Sequence, residues 1–120
     1  MSVIRGLYEV VVRVSDLARA ERFYHEVLGL ELGLQDPARP MSFWRVAGGE
    51  GMLVLQQHDG DWPKQHFAFR VDESDLEPAK QRLEEQGVST RGPIHHAWMP
   101  AKSLYFEDPD GHELEFCAPL

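Results

Sequence analysis

Hydrophobic and polar residues follow two different periods in the first half of the chain. The β-branched run at 7–14 is typical of a strand. From 17 to 28 the apolar residues recur at helical spacing, and this predicts a helix capped by Ser15 or Asp16 and ended by Gly29. Three further strands are predicted at 30–34, 41–47 and 52–57. The predicted order is therefore strand, helix and three strands.

The second half of the chain repeats this order. A strand is predicted at 65–71, followed by a helix with a capping box at Ser74 and Glu77 that ends near Gly87. The remaining strands are predicted at 88–91, 103–107 and 113–117, with a turn at 108–111. The expected fold is therefore α+β, with two βαβββ modules at 3–57 and 65–118. One domain spanning 1–120 is expected, in which a curled sheet surrounds a cleft, because each module covers only one sheet face with its helix.

Superposing the two halves by number supports the repeat. The first strands of the two halves align at a shift of 57 residues, and the later strands align at a shift of 61. At the second shift Ser42 falls on Ser103, and Trp44 falls on Tyr105. Val54 falls on Glu115.

Strand alternation predicts which side chains face the cleft. In the first strand the apolar positions 8, 10, 12 and 14 share one face, which leaves Glu9 and Arg13 on the other. By the same argument His66 and Arg70 face the cleft from the fifth strand, and Glu115 faces it from the last. Gln56 and Tyr105 are placed on the same surface, and Trp44 is expected either to line the cleft or to fill it.

Glu9, His66 and Glu115 are a plausible ligand set for a divalent metal, because they bring two carboxylates and one imidazole together. A strand histidine is more often a half-buried residue that makes a hydrogen bond, and a glutamate on a sheet face is more often solvated. Alternation by itself leaves both interpretations open.

Composition and charge narrow the class of protein. The chain has 120 residues, a formal net charge of −8 and one cysteine, Cys117. This length suits one domain with its own core. The acidic balance and the absence of basic clusters argue against a nucleic-acid partner. No segment has the length or hydrophobicity of a signal peptide or a membrane span, so a cytoplasmic protein is expected.

Three motifs carry a resemblance to a known family. They are the run Glu9-Val-Val-Val-Arg-Val-Ser-Asp-Leu17, the strand His66-Phe-Ala-Phe-Arg-Val71 and the closing segment Tyr105-Phe-Glu-Asp-Pro-Asp-Gly-His-Glu-Leu-Glu-Phe116. Together they resemble the vicinal oxygen chelate superfamily, which contains glyoxalase I, fosfomycin-resistance thiol transferases, extradiol dioxygenases and bleomycin-binding proteins. The resemblance covers nearly the whole chain.

The resemblance implies metal ligands at Glu9, His66 and Glu115, with Glu9 standing where the family usually has histidine. Glu9 and Glu115 are the candidate catalytic groups, and the candidate substrate-binding residues are Arg13, Trp44, Gln56, Arg70 and Tyr105. The implied cofactor is a divalent ion, whether Zn, Ni, Mn, Fe or Mg. Val54, at the position of the family's fourth ligand, cannot ligate, which argues against the glyoxalase I reaction itself. The segment 95–100 corresponds to a loop that covers the cleft in relatives.

Two classes of function follow from the resemblance. One is a metal-dependent lyase, isomerase, thiol transferase or dioxygenase that acts on a small oxygen-chelating substrate. The other is a metal-free protein that binds a small molecule or an antibiotic, as bleomycin-binding relatives do. A homodimer is expected in either case, because small members of the family complete their clefts by pairing modules.

Overall fold

The computed structural model describes residues 2–120. Two compact units make up the chain, divided between Trp62 and Pro63. Each unit contains a four-stranded mixed sheet and runs in the order strand, helix and three strands. The predicted α+β class and its two βαβββ repeats are therefore confirmed.

The first unit contains strands β1 (Glu9–Val14), β2 (Glu31–Asp36), β3 (Met41–Val46) and β4 (Gly51–Gln57). Its helix α1 (Leu17–Arg22) continues as a π-helical turn, Phe23–Val27. The sheet order is β1-β4-β3-β2, in which only β1 and β4 pair in parallel. The expected helix boundaries are present, because the Asp16 side chain accepts a hydrogen bond from Arg19 N and Gly29 has a φ of +76°.

The second unit contains β5 (His66–Arg70), α2 (Leu76–Glu85), β6 (Thr90–His96), β7 (Ala101–Glu107) and β8 (Glu113–Pro119). Its sheet order is β5-β8-β7-β6, and again only the first pair is parallel. The turn at 108–111 joins β7 to β8, with the Gly111 N–H donating to the Asp108 carbonyl. No helix within residues 2–120 is long and apolar enough to cross a membrane.

Two local predictions in the second unit are wrong. The capping box is formed by Asp72 and Asp75 around a 3-10 turn (Glu73–Asp75) that precedes α2, and not by Ser74 and Glu77. The Asp72 carboxylate reaches the Asp75 N–H, and the Asp75 carboxylate accepts from the Asp72 N–H at 3.0 Å.

The strand that follows α2 extends well past the predicted 88–91. Because β6 continues to His96, His95 and His96 lie in a strand and not in a loop.

Strand alternation correctly predicts the core side of each sheet. Val12 and Val14 are fully buried, whereas Glu9 and Arg13 are exposed. In the second unit Leu76 and Leu83 of α2 are buried, and the helix packs on β6 and β7. Each sheet therefore has an apolar face covered by its own helix and a second face of mixed composition.

The strand register corrects the numerical repeat in β3 and β7. Leu53 of β4 corresponds to Leu114 of β8, but Leu53 pairs with Trp44 while Leu114 pairs with Phe106. The shift between these two strands is therefore 62 residues and not 61, so Trp44 does not correspond to Tyr105. A slip of one residue moves every side chain of a strand to the opposite face. Trp44 consequently lies on the helix side of its sheet, and Tyr105 lies on the opposite side of the other sheet.

Candidate functional site

The second sheet has a polar face, which is the side turned away from α2. Strand pairing places its members next to one another, because residues directly opposite in neighbouring strands point to the same side. The polar face is defined here as His66, Arg91, Ser103, Tyr105, Glu113 and Glu115.

Glu115 is the buried acid of the polar face, with only 6% of its surface exposed. Its Oε1 accepts a hydrogen bond of 2.6 Å from the hydroxyl of Ser103, which is fully buried. Its Oε2 lies 2.8 Å from Nε2 of His66. Both carboxylate oxygens therefore have a polar partner, as a buried charge requires.

His66 is half-exposed, and both of its ring nitrogens face carboxylates. Nε2 faces Glu115, and Nδ1 lies 3.4 Å from Oε2 of Glu113. The imidazole stacks against the ring of Tyr105 with the planes 22° apart and the centroids 6.3 Å apart. These contacts restrict the orientation of the imidazole.

Arg91, which is exposed, and Tyr105, which is half-buried, form the border of this group. Nη2 of Arg91 donates to Oε1 of Glu113 at 3.1 Å, and the guanidinium lies 4.5 Å from the centroid of the Tyr105 ring. The hydroxyl of Tyr105 lies within hydrogen-bond distance, 2.9 Å, of Nε2 of His96. A pocket of about 580 Å³ opens here, and His66, Arg91, Tyr105 and Glu113 are among its lining residues.

The pair of His66 and Glu115 fits a divalent metal. Two adjacent donor atoms of an octahedral ion, each about 2.1 Å from it and at right angles to each other, are about 3 Å apart. The nitrogen and the oxygen that face each other here are 2.8 Å apart. Within residues 2–120, no group of three or more His, Cys, Asp or Glu side chains is placed to hold an ion. Of the predicted ligands Glu9, His66 and Glu115, the last two lie in the second unit, and their side chains are in contact there.

The other predicted site residues belong to the first sheet or to the end of β5. Glu9 begins β1 in the first unit and is exposed, and Arg13 and Gln56 are register partners on the mixed face of the first sheet. Arg70 ends β5 on the same side of the second sheet as His66 and is exposed, opposite Cys117 of β8, whose partner in β7 is Ser103.

Trp44 has a different environment from the other predicted binding residues. It is 5% exposed, its indole N–H donates to Oγ of Ser42, and its ring lies 5.8 Å from that of His25 beside α1. Its contacts are therefore those of a side chain packed between sheet and helix.

Sequence reasoning did not assign a role to Glu113, Arg91 or His96. Alternation does place Glu113 on the same face as Glu115, and its position directly opposite His66 becomes visible only in the strand register. Arg91 lies within the predicted strand but its position opposite Tyr105 appears only in the register, and His96 follows from the unexpected length of β6. Gly92 and Pro93 lie within the register shift between Arg91 and Ile94, and a glycine or proline inside a strand is a local signal of such an irregularity.

Comparison with protein families gives a match over almost the full chain. The sequence model of one family, the Glyoxalase/Bleomycin resistance protein/Dioxygenase superfamily, matches residues 6–116. The glutathione transferase FosA of Serratia marcescens is 34% identical over 94% of this chain and 80% of its own length. The metallothiol transferase FosB of Shouchella clausii is 31% identical, with the same two coverages.

Solved structures show the same fold. An integron cassette protein from the mobile metagenome of the Halifax Harbour sewage outfall matches with a TM-score of 0.91 and 52% identity, over 96% of this chain and 99% of its own. TnmS3, an antibiotic-binding protein from Streptomyces sp. CB03234, matches with a TM-score of 0.83 and 27% identity over the full length of both chains.

Proposed function

Because the chain belongs to the glyoxalase/bleomycin resistance protein/dioxygenase superfamily, we propose that it is a metal-dependent thiol transferase acting on a small, oxygen-bearing electrophile. Two relatives above 30% identity are thiol transferases by name, and one of those names specifies a metal. In the proposed reaction the sulfur of a thiol bonds an electrophilic carbon of the substrate. A carbon–oxygen bond of the substrate breaks, and the released oxygen takes the proton of the thiol.

The observation that carries this proposal is the convergence of His66 Nε2 and Glu115 Oε2 at 2.8 Å. Glu115 keeps its side chain on the polar face, where its partners are His66 and Ser103 and not an arginine. An arginine partner would have favoured a structural ion pair. Carboxylates that bind metals are usually oriented by a hydrogen bond from a further group, as Ser103 orients Glu115.

A bound divalent ion would act as a Lewis acid on a substrate oxygen. The residues of this chain have separate tasks around it. His66 and Glu115 supply donor atoms, and Ser103 fixes the rotamer of Glu115 through the 2.6 Å hydrogen bond. Tyr105 presents its ring beside His66 while its hydroxyl contacts His96, and Arg91 supplies positive charge at the edge of the pocket.

Glu9 remains the proposed third ligand, with its carboxylate in place of the histidine that is usual in the family. Arg13, Gln56 and Arg70 remain proposed substrate-binding residues. Trp44 does not, because it packs on the helix side of its sheet and only 5% of it is exposed.

The metal is tested first. Protein purified without a chelating tag is analysed for metal content and titrated calorimetrically with Mn²⁺, together with Glu115→Gln and the control Glu107→Gln. Glu107 is the register partner of Glu113 and lines the same pocket, so the control removes an equal charge nearby. We expect Glu115→Gln to lose most of the affinity for Mn²⁺ while Glu107→Gln retains it.

Activity is tested next by following the loss of thiol with epoxides as substrates, and by screening 2-oxoaldehyde–thiol adducts and catechols alongside. Thiol consumption that depends on both the electrophile and Mn²⁺ supports the transferase. Metal-dependent turnover of a catechol or an adduct without net thiol loss would replace it with another activity of the superfamily. A wild-type protein that binds no Mn²⁺ would overturn the metal-dependent function.

The second candidate is an antibiotic-binding protein, and it is favoured by the full-length match to TnmS3. In that case a pair of His66 and Glu115 serves as a polar contact and binds no ion. Quenching of tryptophan fluorescence by a panel of antibiotics in the presence of a chelator separates the two candidates, since binding by a metal-free protein does not depend on Mn²⁺.

A further inference from the structure

We propose that Glu113 is a positioning residue, whose carboxylate holds the imidazole of His66 so that Nε2 faces the metal position. This inference rests on the proposed function in one respect, which is that His66 binds a divalent ion. Glu113 belongs neither to the ligand set nor to the substrate-binding residues described above.

The backbone places the two residues side by side. His66 and Glu113 are direct partners in the parallel pairing of β5 and β8, and the Glu113 N–H donates to the Gln65 carbonyl at 2.9 Å. Residues directly opposite on one face of a sheet have their Cβ atoms within about 5.5 Å of each other. The pairing of the two main chains therefore keeps Glu113 within reach of His66.

The side-chain geometry shows which atom Glu113 controls. Nδ1 of His66 is 3.4 Å from Oε2 of Glu113, while Nε2 is 2.8 Å from Glu115. When a metal occupies Nε2 of a neutral imidazole, the ring proton is on Nδ1. Oε2 of Glu113 then lies 3.4 Å from the protonated nitrogen, and a carboxylate that accepts from it typically fixes both the tautomer and the ring orientation of a metal-binding histidine.

A second contact holds Glu113 itself. Its other oxygen, Oε1, accepts from Arg91 at 3.1 Å, and Arg91 lies over the ring of Tyr105. Tyr105 in turn stacks against His66. The four side chains form a closed ring of contacts in which each one limits the movement of the next, and His66 also faces Glu115.

If Glu113 served only to stabilise the fold, removing it would lower the free energy of unfolding and leave the His66 ring unaffected. The exposure of its ion pair with Arg91 argues against that role. The side chains of Arg91 and Glu113 are 64% and 45% exposed, and ion pairs as exposed as this one contribute little to stability. Removing Glu113 should therefore hardly change the unfolding of the protein. If Glu113 positions His66, its removal should change the state of that ring and the affinity for the metal.

The test compares Glu113→Ala and Glu113→Gln with the matched controls Glu107→Ala and Glu107→Gln. We expect Glu113→Ala to weaken Mn²⁺ binding by about 10-fold or more, the usual effect of losing such a partner. Glu113→Gln should recover part of the loss, because the amide oxygen can still accept from Nδ1–H. Both Glu107 variants should retain most of the affinity. If all four variants lost the same affinity for Mn²⁺, the loss would come from the removed negative charge and not from the position of Glu113, and the proposal would be overturned. Unchanged binding in Glu113→Ala would also overturn it.

A readout without metal separates this inference from the proposed function. NMR of the His66 ring in the chelator-treated protein should show one ring environment in the wild type. That environment should change in Glu113→Ala but not in Glu107→Ala, while urea unfolding remains the same. A ring signal that is unaffected by Glu113→Ala would also overturn the positioning role. Failure of the wild type to bind Mn²⁺, with the ring signal still dependent on Glu113, would overturn the metal-dependent function only.

Discussion

The hydrogen bond from Ser103 to Glu115 offers a direct test of how the candidate site is held together. The two atoms are 2.6 Å apart, Ser103 is fully buried, and Glu115 is 6% exposed. This distance is typical of a hydroxyl that donates to an ionised carboxylate. Ser103→Ala removes only the hydroxyl, and the buried oxygen of Glu115 loses its donor.

The expected cost follows from the charge of the acceptor. A hydrogen bond to a charged group contributes about 1.5–3 kcal/mol, whereas one between neutral groups contributes about 0.5–1.5 kcal/mol. Ser103→Ala should therefore lower the free energy of unfolding by about 2 kcal/mol. For a chain of this size that corresponds to a decrease in Tm of roughly 8 °C.

A double-mutant cycle isolates the charge. Urea unfolding is measured in chelator for the wild type, Ser103→Ala, Glu115→Gln and the double variant. In the Glu115→Gln background the acceptor is a neutral amide, so Ser103→Ala should cost about 1 kcal/mol less than in the wild type. If Ser103→Ala costs the same in both backgrounds, the hydroxyl does not support an ionised carboxylate and the reasoning about Glu115 is refuted.

Two further predictions follow from the structure. Gly92 has a φ of +114°, and a Cβ added there would lie 2.7 Å from the carbonyl oxygen of Ser103. Gly60 has a similar φ of +108°, but a Cβ added there would meet no atom within 4 Å. Gly92→Ala should therefore destabilise the protein by more than Gly60→Ala. Urea unfolding of both variants checks this difference, and equal costs would show that the backbone contact is unimportant. The protein should sediment as a homodimer at micromolar concentration, because each four-stranded sheet ends in edge strands, which can pair with another chain. A single species of 13.7 kDa would contradict that prediction.

The secondary structure was largely predictable because its signals are local. Both helices were correctly located, and α1 has the expected boundaries, since a capping side chain and a glycine at positive φ act on neighbouring residues. The buried and exposed positions of β1 were predictable for the same reason, because alternation depends only on the strand itself. The exceptions were also local in cause. The capping box is formed by Asp72 and Asp75 and not by Ser74 and Glu77, because the chain enters the helix through a 3-10 turn.

Strand register was not predictable from the sequence. Identical residues aligned Ser42 with Ser103, yet pairing with β4 and β8 places these serines on opposite faces of their sheets. The length of β6 was missed for a related reason, since its pairing with β7 continues through a register shift between Arg91 and Ile94. Main-chain pairing between neighbouring strands decides these features. Gly92 and Pro93 mark a break in β6, but they do not reveal that pairing resumes at Ile94 and continues to His96.

For the candidate site, the sequence by itself determined which side chains share a strand face, and so it identified His66 and Glu115 as potential ligands. It also determined the family, through motifs that cover almost the whole chain. Only the tertiary structure decided the partners of those ligands: Ser103 beside Glu115, and Glu113 beside His66. The physical reason is that alternation assigns each side chain to a face, whereas the pairing of strands decides which side chains on that face lie within hydrogen-bond distance of each other.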